Sequence, residues 1–565
     1  MDLLKVSHSY VNRMVGSESK SKIKVLLLDK DTTPIISMCT TQSLLLKHNI
    51  YLVDRLDNPN RDTMMHLQCM VFVRPTNDSI QALVDELRSP KYSSYELFFS
   101  NIIRKSDLER LAESDDHELV TKVQEMFADS LVINRDLFSF NLNHIYGTTP
   151  DSWNSDALNR TVQGLIGLLL SLKQKPLIRY SKNSPMSRKL GAEISYIMKQ
   201  EHQLFDFRKS DTPPILLLLD RKNDPVTPLL TPWTYQAMVH HILGITNNRV
   251  DLSNVPDVSP DMKEIVLSSD QDPFFAKTMY LNFGDLGASI KDYVSHYQSR
   301  TKSNSALESI ADMKRFIEDY PEFRKLSGNV SKHVTVVNEL SRRVSEHSLL
   351  QVSELEQSLA CNDSHNSDLK SLRELLNLPT VTDDSKVRLV ALYALRYQHH
   401  PSNAISSLLQ TLPPSQAAIV NGLISRYAGS QQRQENLFGN ESFFARAQSG
   451  FKGLKGVENV YTQHTPLIQR ILTSLVKGKL RKSTHPFLDT GDLPSWALSD
   501  EPSERPQDIV VFIVGGVTYE EARLVSELNA SLKGVRIVVG GTTVVSAESF
   551  WNNMGHALET WSGGL

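Results

Sequence analysis

A short apolar run at residues 215–219 constrains the fold of this chain more than any other stretch. Two prolines precede the run, and a charged, proline-bearing turn follows it. Such a run between turn signals is typical of a strand that is buried on both faces, as in a parallel sheet covered by helices. Asp220 and Arg221 come directly after it, at the end where open α/β sheets carry their functional groups. The sequence therefore predicts a wound α/β sheet with polar residues at the end of a central strand.

The residues after this strand predict a joint between domains. Pro225 and Pro228 lack amide donors and disfavour helix at the residues before them, so the chain is expected to leave the sheet in an extended path. A helix is expected to resume at Thr231, as its N-cap.

No enzyme motif has the form of this joint. We expect Asp220 and Arg221 to orient the following domain on the sheet, and Trp233 to pack in a core that the two domains share. In this interpretation the three residues are structural.

Length and composition exclude several classes of protein. At 565 residues the chain is too long for one core, so about two to four domains are expected. The net charge of -3 argues against a dedicated nucleic-acid binder. The 3 cysteines have no CxxC spacing, which fits a reducing compartment. Apolar runs fall far short of the ~20 residues that span a bilayer, so we expect a cytoplasmic protein that reaches membranes through partners.

Apolar runs separated by helix-compatible segments fill the first third of the chain and predict a parallel sheet wound with helices. These runs are residues 24–29, 50–54, 70–73, 95–99 and 131–133. Two similar runs, 509–514 and 535–539, lie near the C-terminus, each followed by a glycine pair. We expect them to complete a sheet begun around 132–220, which makes the middle of the chain a large, mostly helical insertion.

The insertion is predicted to contain a projecting helical hairpin. Two apolar stripes recur in it at helical spacing: Ala306, Ile310, Met313 and Ile317, then Val330, Val334, Val337, Leu340 and Val344. Pro321 lies between the stripes and should break or bend the helical path there. The stripes fit either a helical core or a surface for a partner helix, and both interpretations stay open.

Glycine turns near the C-terminus raise the alternative of a nucleotide-binding enzyme. The stretch VFIVGGVTYEEA lacks the third glycine of a dinucleotide fingerprint and the lysine of a P-loop. A tight strand-to-helix turn is favoured, and Thr518 and Glu521 have the spacing of a capping box. The adjacent histidines at 240–241 and 399–400 would point to different helix faces, so no metal site is expected.

Three separated stretches resemble the SM proteins, the Sec/Munc-type regulators of SNARE-mediated membrane fusion. They are LLLLDRKNDPVTPLLTPWTYQAMVHHILGI, VFIVGGVTYEEARLVSELN and RIVVGGTTVVSAESFW. The similarity covers nearly the whole chain. The detail of the first stretch, with LAESDDHELVTKVQEMF and RDLFSFNL, is similar to the vacuolar-protein-sorting branch, which serves transport between the trans-Golgi network and endosomes.

The resemblance implies an arch of three domains without catalysis and without a cofactor. Domain 1 would span 1–131, domain 2 would combine 132–224 with 480–565, and domain 3 would be the helical insertion 225–479. It implies a monomeric, cytoplasmic protein, peripherally associated with Golgi and endosomal membranes. Such a protein binds a syntaxin-type SNARE in the central cleft and promotes SNARE complex assembly.

The resemblance further implies two contacts with SNAREs. A pocket on the outside of domain 1 would take the N-terminal SNARE peptide, with an apolar slot and an acidic rim. By position, its lining would be Leu108, Leu111, Val120, Val123 and Glu125. SNARE helices would meet the hairpin near Pro321, on the stripe of Val330, Val334 and Val337. A passive tether or scaffold, without an effect on fusion, stays open beside this function.

Overall fold

The computed structural model describes residues 1–16, 23–208, 212–305, 310–429, 438, 460–488 and 505–562. For residues 300 and 302–323 it describes no side chain. Every structural statement below concerns the described residues.

Strands and helices are numbered in chain order. The strands are β1 Lys24–Leu28, β2 Ile50–Arg55, β3 Met64–Val73, β4 Tyr92–Phe99, β5 Val120–Glu125, β6 Leu131–Asn134, β7 Leu137–Ser139, β8 Leu177–Tyr180, β9 Ile215–Asp220, β10 Arg249–Asp251, β11 Glu264–Val266, β12 Asp508–Val514 and β13 Arg536–Gly541. The helices are α1 Leu3–Val15, α2 Thr32–Cys39, α3 Gln42–Lys47, α4 Asn77–Arg88, α5 Lys105–Ser114, α6 Ser155–Leu172, α7 Pro185–Gln200, α8 Tyr235–Ile242, α9 Pro273–Thr278, α10 Phe283–Ser305, α11 Ile310–Glu346, α12 Leu349–Cys361, α13 His365–Leu376, α14 Asp383–Tyr397, α15 Ile405–Leu409, α16 Pro414–Gly422, α17 Leu467–Val476, α18 Tyr519–Ser531 and α19 Ala547–Ser562.

The first sheet has five parallel strands in the order β2-β1-β3-β4-β5. Strand β1 lies between β2 and β3 and is buried at every position, which explains the apolar run of its last four residues. One face of the sheet packs on α4 and α5 around a core that includes Tyr95, Leu97 and Phe99. The free edges of this sheet are therefore β2 on one side and β5 on the other.

The second sheet joins two distant parts of the chain, in the order β6-β7-β13-β12-β9-β8. Ile509 of β12 pairs in parallel with Ile215 of β9, and Val539 of β13 pairs with Leu137 of β7. Only β6 and β7 run antiparallel within it. The prediction that the two late apolar runs complete an earlier sheet is confirmed.

The insertion between β9 and β12 is largely helical, and much of it shares a core with the second sheet. Leu392 and Leu395 of α14 belong to the same buried cluster as Phe512 of β12. Helix α17 packs on the other face of that sheet, in one cluster with Ile509 and Val525, although the predicted limit at 479 assigns this helix to the insertion. The predicted residue limits of the three domains otherwise stay a prediction.

The hairpin is present, but its bend is not at Pro321. Its two helices are α10 and α11, and the residues between them, 306–309, lie outside the described ranges. Helix α11 continues through Pro321 from Ile310 to Glu346, so the predicted break there is wrong. A proline inside a helix removes one hydrogen bond and bends the path, and a helix of 37 residues keeps enough other bonds to continue. Ala306, the first residue of the earlier stripe, lies outside the described ranges.

Candidate functional site

Arg221 joins the two halves of the second sheet, and Asp220 holds the start of α7 on the end of β9. Asp220 ends β9, and its carboxylate accepts a hydrogen bond from Ser184 Oγ at 2.6 Å and from the Lys222 amide at 3.0 Å. The Arg221 guanidinium crosses to the turn after β12 and donates to the Gly516 carbonyl from Nε at 3.1 Å and from Nη2 at 3.0 Å. These partners belong to the sheet and not to the insertion, so the prediction that this pair orients the next domain needs correction.

Glu521 is the charged partner of Arg221 and also caps α18. Its Oε2 accepts from Arg221 Nη2 and from the Thr518 amide, while the Glu521 amide donates to Thr518 Oγ1. The predicted capping box is thus confirmed. Burial alone would lower the pKa of Arg221, but Glu521 and Asp224 outweigh it and raise that pKa. Arg221 therefore stays charged in the interior.

The same geometry removes the basis for a nucleotide-binding enzyme. A phosphate would need the free amides at the N-terminus of α18, and the Glu521 carboxylate already occupies this position. Gly515 and Gly516 have φ of +93° and +106°, and a Cβ on Gly515 would lie 2.8 Å from Arg221 Cβ. The glycines are therefore required by the turn and by its close approach to Arg221.

A second buried ion pair attaches the insertion to the joint. Glu356 of α12 accepts from the Thr231 amide at 2.7 Å and from Arg388 of α14 at 2.9 Å. Arg388 also donates to the Leu229 carbonyl at 2.9 Å. Both charged side chains are almost inaccessible, at 2% and 0% exposure. This network has the orienting role that the sequence assigned to Asp220 and Arg221. Its acid and its base lie too far apart in the sequence for residue spacing to show that they pair.

Trp233 packs inside the insertion. Its Nε1 donates to Ser353 Oγ at 2.7 Å, and its ring lies 5.6 Å from that of Tyr461. The other members of its buried cluster, such as Leu340, also come from the insertion, so the predicted core shared with the sheet is wrong for this residue. Thr231 is not an N-cap either, because α8 begins at Tyr235 and the Thr231 amide is bound by Glu356.

The residues predicted to form a peptide pocket lie together on α5 and β5, at one edge of the first sheet. Leu111 is buried, and Leu108 and Val120 are partly buried against the same cluster. A register shift before Lys122 places Val123 beside Leu97 and Glu125 beside Phe99, on the face that α5 covers.

Two members of this group keep access to solvent at the edge of the sheet. Val123 is 49% exposed, and Glu125 accepts a hydrogen bond from the Ile103 amide at 2.9 Å. The structure thus offers an apolar edge with a carboxylate beside it.

The hairpin stripe is shifted from the predicted one. Val330 is buried, whereas Val334 and Val337 are only half-buried and Val336 is fully buried instead. His333 anchors this part of α11, since Nε2 lies 2.8 Å from Asp272 Oδ2 and Nδ1 lies 2.8 Å from the Tyr235 hydroxyl. The base of the hairpin is therefore fixed to α8 and α9.

The opposite edge of the first sheet carries an apolar surface that sequence reasoning missed. On β2, Tyr51 is 59% and Val53 is 42% exposed, and Leu44 of the neighbouring α3 is 46% exposed. Large apolar side chains grouped at an exposed strand edge mark a protein contact surface. The alternation of this short strand was the available signal, but it does not distinguish an exposed face from a buried one.

The comparisons with known proteins place the chain in a class. The model of the Sec1 family matches residues 24–553, and the chain belongs to this family. The resemblance to SM proteins stated from the sequence is thereby confirmed. No helix in the described ranges is long and apolar enough to cross a membrane.

Within the family, several similar proteins share one name. Vacuolar protein sorting-associated protein 45 of Schizosaccharomyces pombe is 50% identical over 556 residues, covering 97% of this chain and 98% of its own. The human protein of the same name is 46% identical, with 97% and 95% covered. These names describe protein sorting and name no catalytic activity.

Solved structures agree with this assignment. The SM protein Vps45 in complex with the Qa SNARE Tlg2 matches with a TM-score of 0.92 and 56% identity, covering 100% of this chain and 99% of that chain. The Unc18–syntaxin 1 complex of Monosiga brevicollis, at 20% identity and a TM-score of 0.79, shows the shared fold alone.

Proposed function

We propose that this chain binds a Qa SNARE of the syntaxin type and promotes SNARE complex assembly in transport between the trans-Golgi network and endosomes. The observation that carries the proposal is the match over the full length to an SM protein whose structure was solved with a Qa SNARE. In this proposal the chain is cytoplasmic, monomeric alone and not an enzyme, and it uses no cofactor. Its SNARE brings it to Golgi and endosomal membranes.

Two surfaces of domain 1 suit a SNARE. The apolar edge of α5 and β5, with Leu108, Val120 and Val123 beside Glu125, fits an N-terminal peptide that carries an apolar anchor and a basic residue. The exposed side chains on β2 and α3, at the other edge of the sheet, fit an amphipathic helix. A SNARE with a helical part and a peptide would contact both edges.

The hairpin is the proposed contact for SNARE helices during assembly. Val334 and Val337 keep exposed surface for this purpose, whereas Val330 is buried and supports the helix pair. Pro321 has no amide to donate within α11, so we propose it as the point at which this helix opens most easily. The hairpin would therefore act as a switch in which α11 changes from a continuous helix to a broken one.

Calorimetric titration with the cytoplasmic part of a Qa SNARE tests the proposal. We expect binding that weakens when the N-terminal peptide is deleted, and faster fusion of SNARE-bearing vesicles when the protein is added. Binding without an effect on fusion would favour the scaffold alternative. Absence of binding to every endosomal and Golgi Qa SNARE tried would refute the proposal.

A further inference from the structure

Two stretches of this acidic chain contain cations and no carboxylate. Residues 173–192 have six Lys and Arg residues and no Asp or Glu, and residues 460–488 have five and none. The whole chain has 64 acidic residues among 565, about one in nine. Acidic residues resume at Asp489.

The fold places the two basic stretches side by side at one edge of the second sheet. The Lys182 amide donates to the Thr484 carbonyl at 2.9 Å, and the Leu488 amide donates to the Ile178 carbonyl at 2.9 Å. Residues 484–488 thus run antiparallel along β8, outside the last strand of the sheet. Charges that are about 300 residues apart in sequence therefore share one surface.

The buried residue Arg179 fixes the shape of this surface. It is 4% exposed, and its guanidinium donates to the carbonyls of Leu480 and His485 at 2.7–2.9 Å and stacks on Phe487. The turn at 480–485 is thereby held on β8 through its backbone. The neighbouring long side chains are left to point into solvent.

Several cations on this surface are exposed. Lys182, Lys479 and Arg481 are exposed and have no carboxylate partner among the described residues. Lys173, Lys175, Arg188 and Lys477 are exposed as well. Lys189 pairs with Glu193 at 2.5 Å.

Helix α7 contributes Arg188 to the surface. Tyr196, which is 60% exposed, lies two helical turns further along the same helix, outside the basic surface. A groove with stacked aromatic rings, as single-stranded nucleic acids require, is not formed by the described residues here.

We propose that this basic surface, formed by β8, the N-terminal half of α7 and residues 477–484, docks directly on a bilayer that contains anionic lipids. Clusters of four to eight cations bind such bilayers by electrostatic attraction alone. The contact would be independent of the SNARE and would orient the molecule at the membrane on which it acts. It goes beyond the proposed function, which needs no direct contact with lipid.

Co-sedimentation of the full chain with SNARE-free vesicles tests the proposal. One set of vesicles contains phosphatidylcholine alone, and the other an equimolar mixture of phosphatidylcholine and phosphatidylserine. The variant carries Lys182→Gln, Lys479→Gln and Arg481→Gln. Each cation near an anionic surface contributes about 5-fold to binding, so we expect roughly a 100-fold weaker partition into the mixed vesicles for this variant.

A matched control removes the same charge elsewhere. It carries Lys263→Gln, Lys277→Gln and Lys370→Gln, three exposed lysines that lie between β10 and β11, on α9 and on α13. We expect the control to bind mixed vesicles like the wild type. Equal losses in the two variants would show an effect of net charge only and would overturn the proposal.

Two further outcomes would also overturn it. One is wild-type binding that does not differ between the two kinds of vesicle. The other is tight binding of polyglutamate or of an oligonucleotide, lost in the first variant, without binding to mixed vesicles. Qa SNARE affinity in solution should be unchanged in both variants, which separates failure of this proposal from failure of the proposed function.

Discussion

The Arg221–Glu521 pair offers a sharp test of how the split sheet is held together. Glu521→Gln keeps the size of the side chain and removes its charge, which leaves the Arg221 guanidinium charged in a site with 1–2% exposure. Removing one partner of a buried pair costs about 3–5 kcal/mol. The carboxylate of Asp224 also stabilises the charge of Arg221, so we expect the lower end, about 3 kcal/mol.

Thermal unfolding measures the size of this loss of stability, and hydrogen exchange shows where in the fold it occurs. About 3 kcal/mol corresponds to roughly 6–12 °C in the transition of a unit of about 200 residues. Exchange should increase at the amides of β9 and β12. The replacement of both Arg221 and Glu521 by Met should cost less than Glu521→Gln alone, because no charge is then left unpaired.

The neighbouring residue provides the control. Glu520 pairs with Arg523 on the same helix but is 23% exposed, and such pairs contribute about 1 kcal/mol or less. Glu520→Gln should therefore lower Tm only slightly. If the two variants melt within about 2 °C of each other, burial of the pair is not what holds the turn after β12 on β9, and the reasoning is refuted.

Three further predictions concern other parts of the molecule. Leu108→Arg should weaken binding of an N-terminal SNARE peptide by about 2–4 kcal/mol in calorimetry. Ala112→Arg, at an exposed position of the same helix, should not weaken it. Equal peptide affinities of the two variants would disprove the pocket. Pro321→Ala should increase the protection of amides around residue 321 in α11 against hydrogen exchange, by up to about 3 kcal/mol. Because opening of the helix is then harder, vesicle fusion should become slower. An unchanged fusion rate would leave this proline without a role as a switch. His485→Leu should reduce the loss of Tm on acidification, because burial, aided by Arg179, lowers the native pKa of His485 to about 4. The unfolded chain takes up this proton near pH 6.5, so the wild type should lose about 3 kcal/mol between pH 6.5 and 4 that the variant keeps; parallel curves would contradict this.

The sequence was sufficient for the longer strands that are buried on both faces, although it missed the three-residue strand β7. Central strands such as β9 and β12 are continuous apolar runs, because every side chain of a covered parallel strand meets a helix. The edge strands β5 and β8 escaped prediction since only part of each is buried. Their sequences contain no run that differs from those of loops or helix ends.

For the joint, the sequence predicted the location but not the contacts. Turn and strand signals located it correctly, but the partners of its residues are set by tertiary structure. Arg221 and Glu521 are 300 residues apart, and Glu356 is 125 residues from Thr231, so neither network has a local pattern. Pro321 failed for a different reason, since one proline removes a single backbone hydrogen bond and the other bonds of a 37-residue helix carry it through.

The two buried ion pairs restrict where this molecule can change shape. Arg221 with Glu521 fixes the start of the joint on the sheet, and Glu356 with Arg388 fixes Thr231 on the insertion, only ten residues later. Each pair is stable in one geometry, because a movement that separates its two side chains inside the protein leaves a buried charge without its partner. A hinge is therefore disfavoured between residues 221 and 231. Helix α11 is anchored through His333 at its base, while the part towards Pro321 lacks one backbone bond. We infer that conformational change on binding a SNARE is concentrated in the hairpin, and that the joint transmits the position of the hairpin to the sheet as a rigid connection.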